Sequence, residues 1–147
     1  MKNMKKLLGL FLVVTVMLTA ACGKKPADEG KNNKKDNDKQ PIVNTEEGVV
    51  GTKEKEGLKF ENTSVVVNSS GTETTYITQV TNTTNDTIYL QTVNIHVKDG
   101  DGNLIVTLSG YLGENIAAGE VRTITSSTDS NLKDAKTVEY EIVKPTE

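Results

Sequence analysis

Three patterns of apolar and polar residues follow one another along the 147-residue chain. The first is an uncharged apolar run, Leu7 to Leu18, interrupted only by Gly9 and Thr15 and preceded by Lys2, Lys5 and Lys6. About a dozen apolar residues fall short of the roughly 20 needed to span a bilayer, but they suit the apolar centre of an export signal. The second pattern is a long polar stretch, Gly23 to Glu47, almost free of large apolar side chains. The third, from Gly48 to Glu147, consists of short Val/Ile/Thr-rich runs punctuated by Gly, Asn, Asp and Ser at intervals of about 8–14 residues. Such runs predict strands and turns.

In this last region Leu58 and Phe60 predict a short strand, with Val65-Val66-Val67 as a second strand or its continuation. Tyr76 to Asn82 predicts the next, with Tyr76, Thr78 and Val80 on one face. The clearest signal is Ile88 to Asp99: Val93, Ile95 and Val97 alternate strictly with Asn94, His96 and Lys98, as in a strand with one buried face. Asp99-Gly100-Asp101-Gly102-Asn103 then predicts a tight hairpin, because glycine and Asx residues tolerate positive φ. Leu104, Val106 and Leu108 return as its partner, and Tyr111-Leu112 begins a further short strand or crossover. A turn at Ala117–Glu120 leads to a strand containing Val121 and Ile124. Asn131 to Ala135 predicts a single helical turn before a final strand, Thr137 to Val143. About seven strands in roughly 95 residues predict an all-β fold, an Ig-like antiparallel β-sandwich, rather than a barrel.

Small residues, Thr19-Ala20-Ala21, close the first apolar run directly before Cys22, the single cysteine of the sequence. An exported chain with one cysteine has no internal disulfide partner for it. The small-residue run ending in cysteine resembles the lipobox of bacterial lipoproteins, with Thr19 where that motif most often has leucine. The resemblance implies cleavage between Ala21 and Cys22, a thioether-linked diacylglycerol and further fatty acid (palmitate) on Cys22, and a protein held at the extracytoplasmic face of the cell membrane. The expected organisation is a signal peptide at 1–21, a lipidated N-terminus and disordered polar linker at 22–47, and a sandwich domain at 48–147. A linker of about 25 residues with balanced charge spans roughly 25–30 Å as a coil.

Charge excludes one class of partner. From Gly48 onward there are 8 basic and 14 acidic residues, a net charge of −6, so no basic footprint for nucleic acid is present. Tryptophan is absent and aromatics make up only 4% of the chain, which gives little support for an aromatic platform that stacks on sugars.

The stretch from Tyr76 to Thr128 resembles the FxLYD-type domain of bacterial envelope lipoproteins. Val80 and Asn82 match its Val-x-Asn strand end, and Ile95-His96-Val97-Lys98-Asp99 stands where that family has Phe-x-Leu-Tyr-Asp, keeping the aspartate and the alternation but neither aromatic. Asp101-Gly102-Asn103 matches its Asp-Gly hairpin, and Ala118-Gly119-Glu120 its Pro-Gly-Glu turn. The resemblance implies a sandwich outside the membrane and supplies no catalytic residue.

Candidate chemistry is sparse. Asp99, Asp101 and Asn103 have the D-x-D-x-N spacing that opens a calcium loop, but Leu104 and Gly110 stand where an EF-hand has its glycine and its closing glutamate. A hairpin turn is the expected use of these residues. His96, the one histidine, shares a strand face with Asn94 and Lys98 and is expected at the surface. No nucleophile elbow, P-loop, dinucleotide fingerprint or zinc-spaced cluster is present. Asn62, Asn82 and Asn85 head glycosylation sequons by pattern. The expectation is a non-enzymatic interaction module without cofactor, tethered through Cys22, whose partner is an envelope protein or the cell wall. The alternatives are a small-ligand or calcium-binding lipoprotein, or an accessory subunit of an envelope or secretion complex.

Overall fold

The computed structural model describes residues 40–145. It is an antiparallel β-sandwich of eight strands: β1 (Ile42–Asn44), β2 (Lys53–Lys55), β3 (Leu58–Val67), β4 (Thr74–Asn82), β5 (Ile88–Lys98), β6 (Leu104–Ile116), β7 (Val121–Thr128) and β8 (Thr137–Val143), with one helical turn, α1 (Glu47–Val50), after β1.

One sheet has the order β1-β3-β4-β7, with β2 also pairing to β3; the other has the order β6-β5-β8. β1 pairs with Val65–Val67 and β2 with Leu58–Phe60. Two short strands thus share the flank of one long one. The chain crosses between sheets after β4, β6 and β7, so that β7 lies beside β4 and β8 beside β5. This interlocked pairing is that of immunoglobulin-like sandwiches.

Alternation decides which face each strand buries. On β4, Thr74, Tyr76, Thr78, Val80 and Asn82 point inward; on β5, Val93, Ile95 and Val97 do. They meet Phe60, Val65, Leu108, Ile116, Ile124, Val138 and Tyr140 between the sheets. The Phe60 and Tyr140 rings stack at 3.8 Å between centroids and 10° between planes. The Tyr140 hydroxyl lies 2.7 Å from that of Tyr76 on the opposite sheet. Burial drives the Tyr76 phenol far above its usual range, with Tyr140 adding to the effect, so it remains a neutral hydrogen-bonding group.

Several details differ from the expectations. Leu58–Val67 is one strand carrying a bulge between Glu61 and Ser64, where Asn62 has φ of 53°. β6 runs on through Tyr111 and Leu112 to Ile116 as a single strand of 13 residues. Its irregularities opposite Leu90/Thr92 and Val97/Lys98 bend it without ending it. Asn131–Ala135 forms a turn, not a helix, with Leu132 and Ala135 buried.

The folded part also begins earlier than Gly48. Asn44 is 3% exposed, and its side-chain amide donates to the carbonyls of Leu132 and Ala135 at 2.8 and 3.0 Å. Its Oδ1 accepts the Glu46 amide at 2.9 Å. Behind it Val49 enters the core at 1% exposure. These contacts hold Ile42 to Val50 against the β7–β8 loop, so the stretch expected as linker to Glu47 contributes a strand and a helical turn.

Candidate functional site

Ala21 and Cys22, the residues at which cleavage and lipidation are expected, lie outside the described residues, as does most of the predicted linker. Among the described residues no helix is long and apolar enough to cross a membrane.

The Asp99–Asn103 loop is a hairpin whose first residue caps it. Asp99 Oδ1 accepts the amides of Asp101 and Asn103, both at 2.9 Å, and Oδ2 accepts the Asn103 side-chain amide at 3.2 Å. Gly102, at φ of 83°, closes the turn by donating to the Asp99 carbonyl. The Asn103 hydrogen bonds, followed by those from Asp101 and Gly102, hold the Asp99 carboxyl below its ordinary value. Both Asp99 oxygens are thus used by the turn itself. Among the described residues no group of three His, Cys, Asp or Glu side chains converges as a metal site.

The solvent face of the smaller sheet carries the richest polar arrangement. Register places His96 between Thr107 of β6 and Glu139 of β8, and Asn94 between Ser109 and Glu141. His96 Nδ1 lies 2.9 Å from Thr107 Oγ1, and Nε2 lies 3.2 Å from Glu141 Oε2. Asn94 donates to the same Glu141 oxygen at 2.9 Å, and Lys98 pairs with Glu139 at 2.7 Å. Asn94 chiefly, then His96, lowers the Glu141 carboxyl, and Lys98 chiefly lowers that of Glu139. An ionised Glu141 can only accept, so Nε2 donates to it, while Nδ1 shares a hydrogen bond with the Thr107 hydroxyl. The chain hydroxyl–imidazole–carboxylate has the connectivity of a nucleophile relay. It stands on the outward side of an open sheet, however, and its geometry ties three strands together in the manner of cross-strand pairs. His96 is therefore a half-buried bridging residue, more engaged than its place in the alternation suggested.

The residues that carry the FxLYD-type resemblance have structural uses. Asn82 is completely buried, donating to the carbonyls of Asp86 and Ile116 at 2.7 and 2.9 Å and accepting from the Thr84 amide and hydroxyl at 2.9 and 2.8 Å. Its side chain holds the β4–β5 crossover against the end of β6. In the turn that follows, Glu120 accepts the Ala117 amide at 2.8 Å and pairs with Arg122 at 2.6 Å. Arg122, the one arginine of the sequence, also reaches Glu114 at 2.9 Å. Of the sequon asparagines, Asn82 is sealed from modification by its burial, Asn62 and Asn85 are exposed, and Asn68, which heads a further sequon (Asn68-Ser69-Ser70), is half-buried.

Where β2 and β8 flank the opening between the sheets, Val138 and Tyr140 floor a groove of about 500 Å³ rimmed by Lys53, Glu54, Lys55 and Glu139. No sequence signal marked this groove, because it forms between strands 80 residues apart.

The fold and these sites define an all-β sandwich with structurally committed polar clusters. Compared with protein-family models, with characterised proteins and with solved structures, the chain matches none.

Proposed function

We propose that this protein is a bacterial lipoprotein: cleaved between Ala21 and Cys22, diacylated on Cys22, and displaying its sandwich at the extracytoplasmic face of the cell membrane as a non-enzymatic interaction module. The observation that carries this reading is the basic-apolar-small pattern ending at Cys22, followed by a polar stretch that reaches the first strand only at Ile42. Two acyl chains hold a protein at a bilayer far more firmly than one. The polar residues 23–41 then act as the spacer between lipid and domain. We assign the domain to the FxLYD type on the strength of Val80, Asn82, the Asp101-Gly102-Asn103 hairpin and the Ala118-Gly119-Glu120 turn. Its partner is a protein or polymer of the envelope. The committed uses of Asp99, His96 and Glu141 within the fold favour this reading over a calcium-binding or catalytic one.

Metabolic labelling with a fatty-acid analogue tests the anchor. The chain is expected to take up label and sediment with membranes, and Cys22→Ala is expected to lose both. Equal labelling of the two would overturn the assignment.

A further inference from the structure

We infer that the outer edge of β6 is a self-association surface at which a second copy of this chain pairs, β6 against β6, to join two three-stranded sheets into one of six strands. β6 is the longest strand and lies at an open edge of its sheet. An edge strand turns half of its backbone N–H and C=O groups away from its neighbour. Among the described residues the only bond to the Leu104–Asn115 backbone from outside the β5 ladder is from Ser126 Oγ to the Ser109 carbonyl, at 2.6 Å. Its exposed side chains include Leu104, Ile105 and Tyr111, at 56%, 37% and 70%.

Charge selects the occupant. The domain carries a net −6, so two copies repel wherever their acidic surfaces meet. Leu104 to Gly113 holds no charged residue, and neither does Thr123 to Thr128 of β7 beside it, leaving a neutral side by which like-charged copies can approach. The bulge-free run Val106–Tyr111, aligned with Thr92–Val97, is also self-complementary. With the two Leu108 residues opposite each other, Thr107 faces Ser109 of the second copy, hydroxyl to hydroxyl. The same operation on β8, centred on Tyr140, would set Glu139 against Glu141 twice, which is repulsive. β8 is thereby blocked against its own kind and β6 is open to it.

The test uses the full chain in mild detergent, carrying Cys22→Ala so that introduced thiols are unique. Thr107→Cys in one tagged copy and Ser109→Cys in another are mixed with a thiol oxidant, beside the same geometry on the other edge, Glu139→Cys with Glu141→Cys. The expected result is a mixed disulfide forming at least tenfold faster on β6. Equal rates overturn the proposal. A second arm needs no thiols. Sedimentation is expected to show dimers for the parent chain and monomers for Thr107→Lys/Ser109→Lys and for Thr107→Glu/Ser109→Glu, with dimers restored on mixing these two. Both positions are exposed, so folded monomers are expected and can be verified by thermal melting. A parent chain that stays monomeric at about 1 mM, or a mixture that does not restore dimers, also overturns it.

Discussion

The two lateral sides of this sandwich are built on opposite principles. On one side β2 and β8 face each other across a groove edged by Lys53, Glu54, Lys55 and Glu139. Its strength lies beneath, in the Phe60–Tyr140 stack, the Tyr76–Tyr140 hydrogen bond and the Asn44 clip. On the other side β6 and β7 close directly upon each other. Gly110 is buried there, and a Cβ added to it would stand 2.3 Å from Ile124 Cγ2. One side is held by large rings and defended by charge; the other is held by the absence of a side chain and left neutral. The lesson is that exposure and strength are separate properties of an edge. Charges at β8 decide what can approach it, and the packing below decides how firmly it stays.

Perturbations on the two sides should therefore differ in size and kind. Tyr140→Ala removes the ring that joins both sheets and leaves the buried Tyr76 hydroxyl without its partner, so a loss of about 3–5 kcal/mol is expected in urea unfolding. A loss below about 1 kcal/mol would place the strength of that side elsewhere. Gly110→Ala forces Ile124 or the β6 backbone to move and should cost about 1–3 kcal/mol by overpacking, with Gly110→Val worse. Asn44→Ala should cost a similar amount, about 1–3 kcal/mol for the buried groups left unpaired. Its mark is local: amide exchange should rise first in Ile42 to Val50 and the β7–β8 loop, with β6 and β7 unchanged.

The smallest expected effect is that of pH. Glu139 and Glu141 have carboxyls held below their ordinary value of 4.5, by Lys98 and by Asn94 with His96 respectively. A group whose pKa is lower in the folded state than in the unfolded state contributes stability above the unfolded value and loses it as pH falls through the folded one. Thermal stability should thus hold from neutral pH down to about 4.5 and decline below it. Glu139→Gln/Glu141→Gln should flatten that decline in part; an unchanged slope would show that other carboxylates, such as Asp99 and Glu120, govern it. These groups are exposed, so added salt should shrink the effect.

Much of the fold was legible because it rests on local periodicity. The alternation through Val93, Ile95 and Val97, the Asp99–Asn103 hairpin and the β8 pattern were all read correctly, since period-two burial and turn chemistry are written in neighbouring residues. What was missed has longer range. Glu56 and Gly57 both have positive φ and join β2 to β3 in a two-residue hairpin, but Glu-Gly is a weaker turn signal than Asn-Gly or Asp-Gly. Ile42-Val43-Asn44 has too few residues to show a period, and the Asn44 amide finds its acceptors in carbonyls some 90 residues away. At the polar face, the alternation placed His96 outward without revealing that Thr107 and Glu141 would meet it from two other strands.

By itself the sequence determined the all-β class, the acidic balance and most strand positions. These follow from composition and from contacts between near neighbours. Only the tertiary structure decided which strands became edges, that Gly110 and Ile124 close one side while Tyr140 and Phe60 bind the other, and that the uncharged stretch Leu104–Gly113 runs along a sheet edge. Those outcomes depend on where crossovers bring distant segments together, and strand propensity carries no information about a partner 30 or 90 residues away.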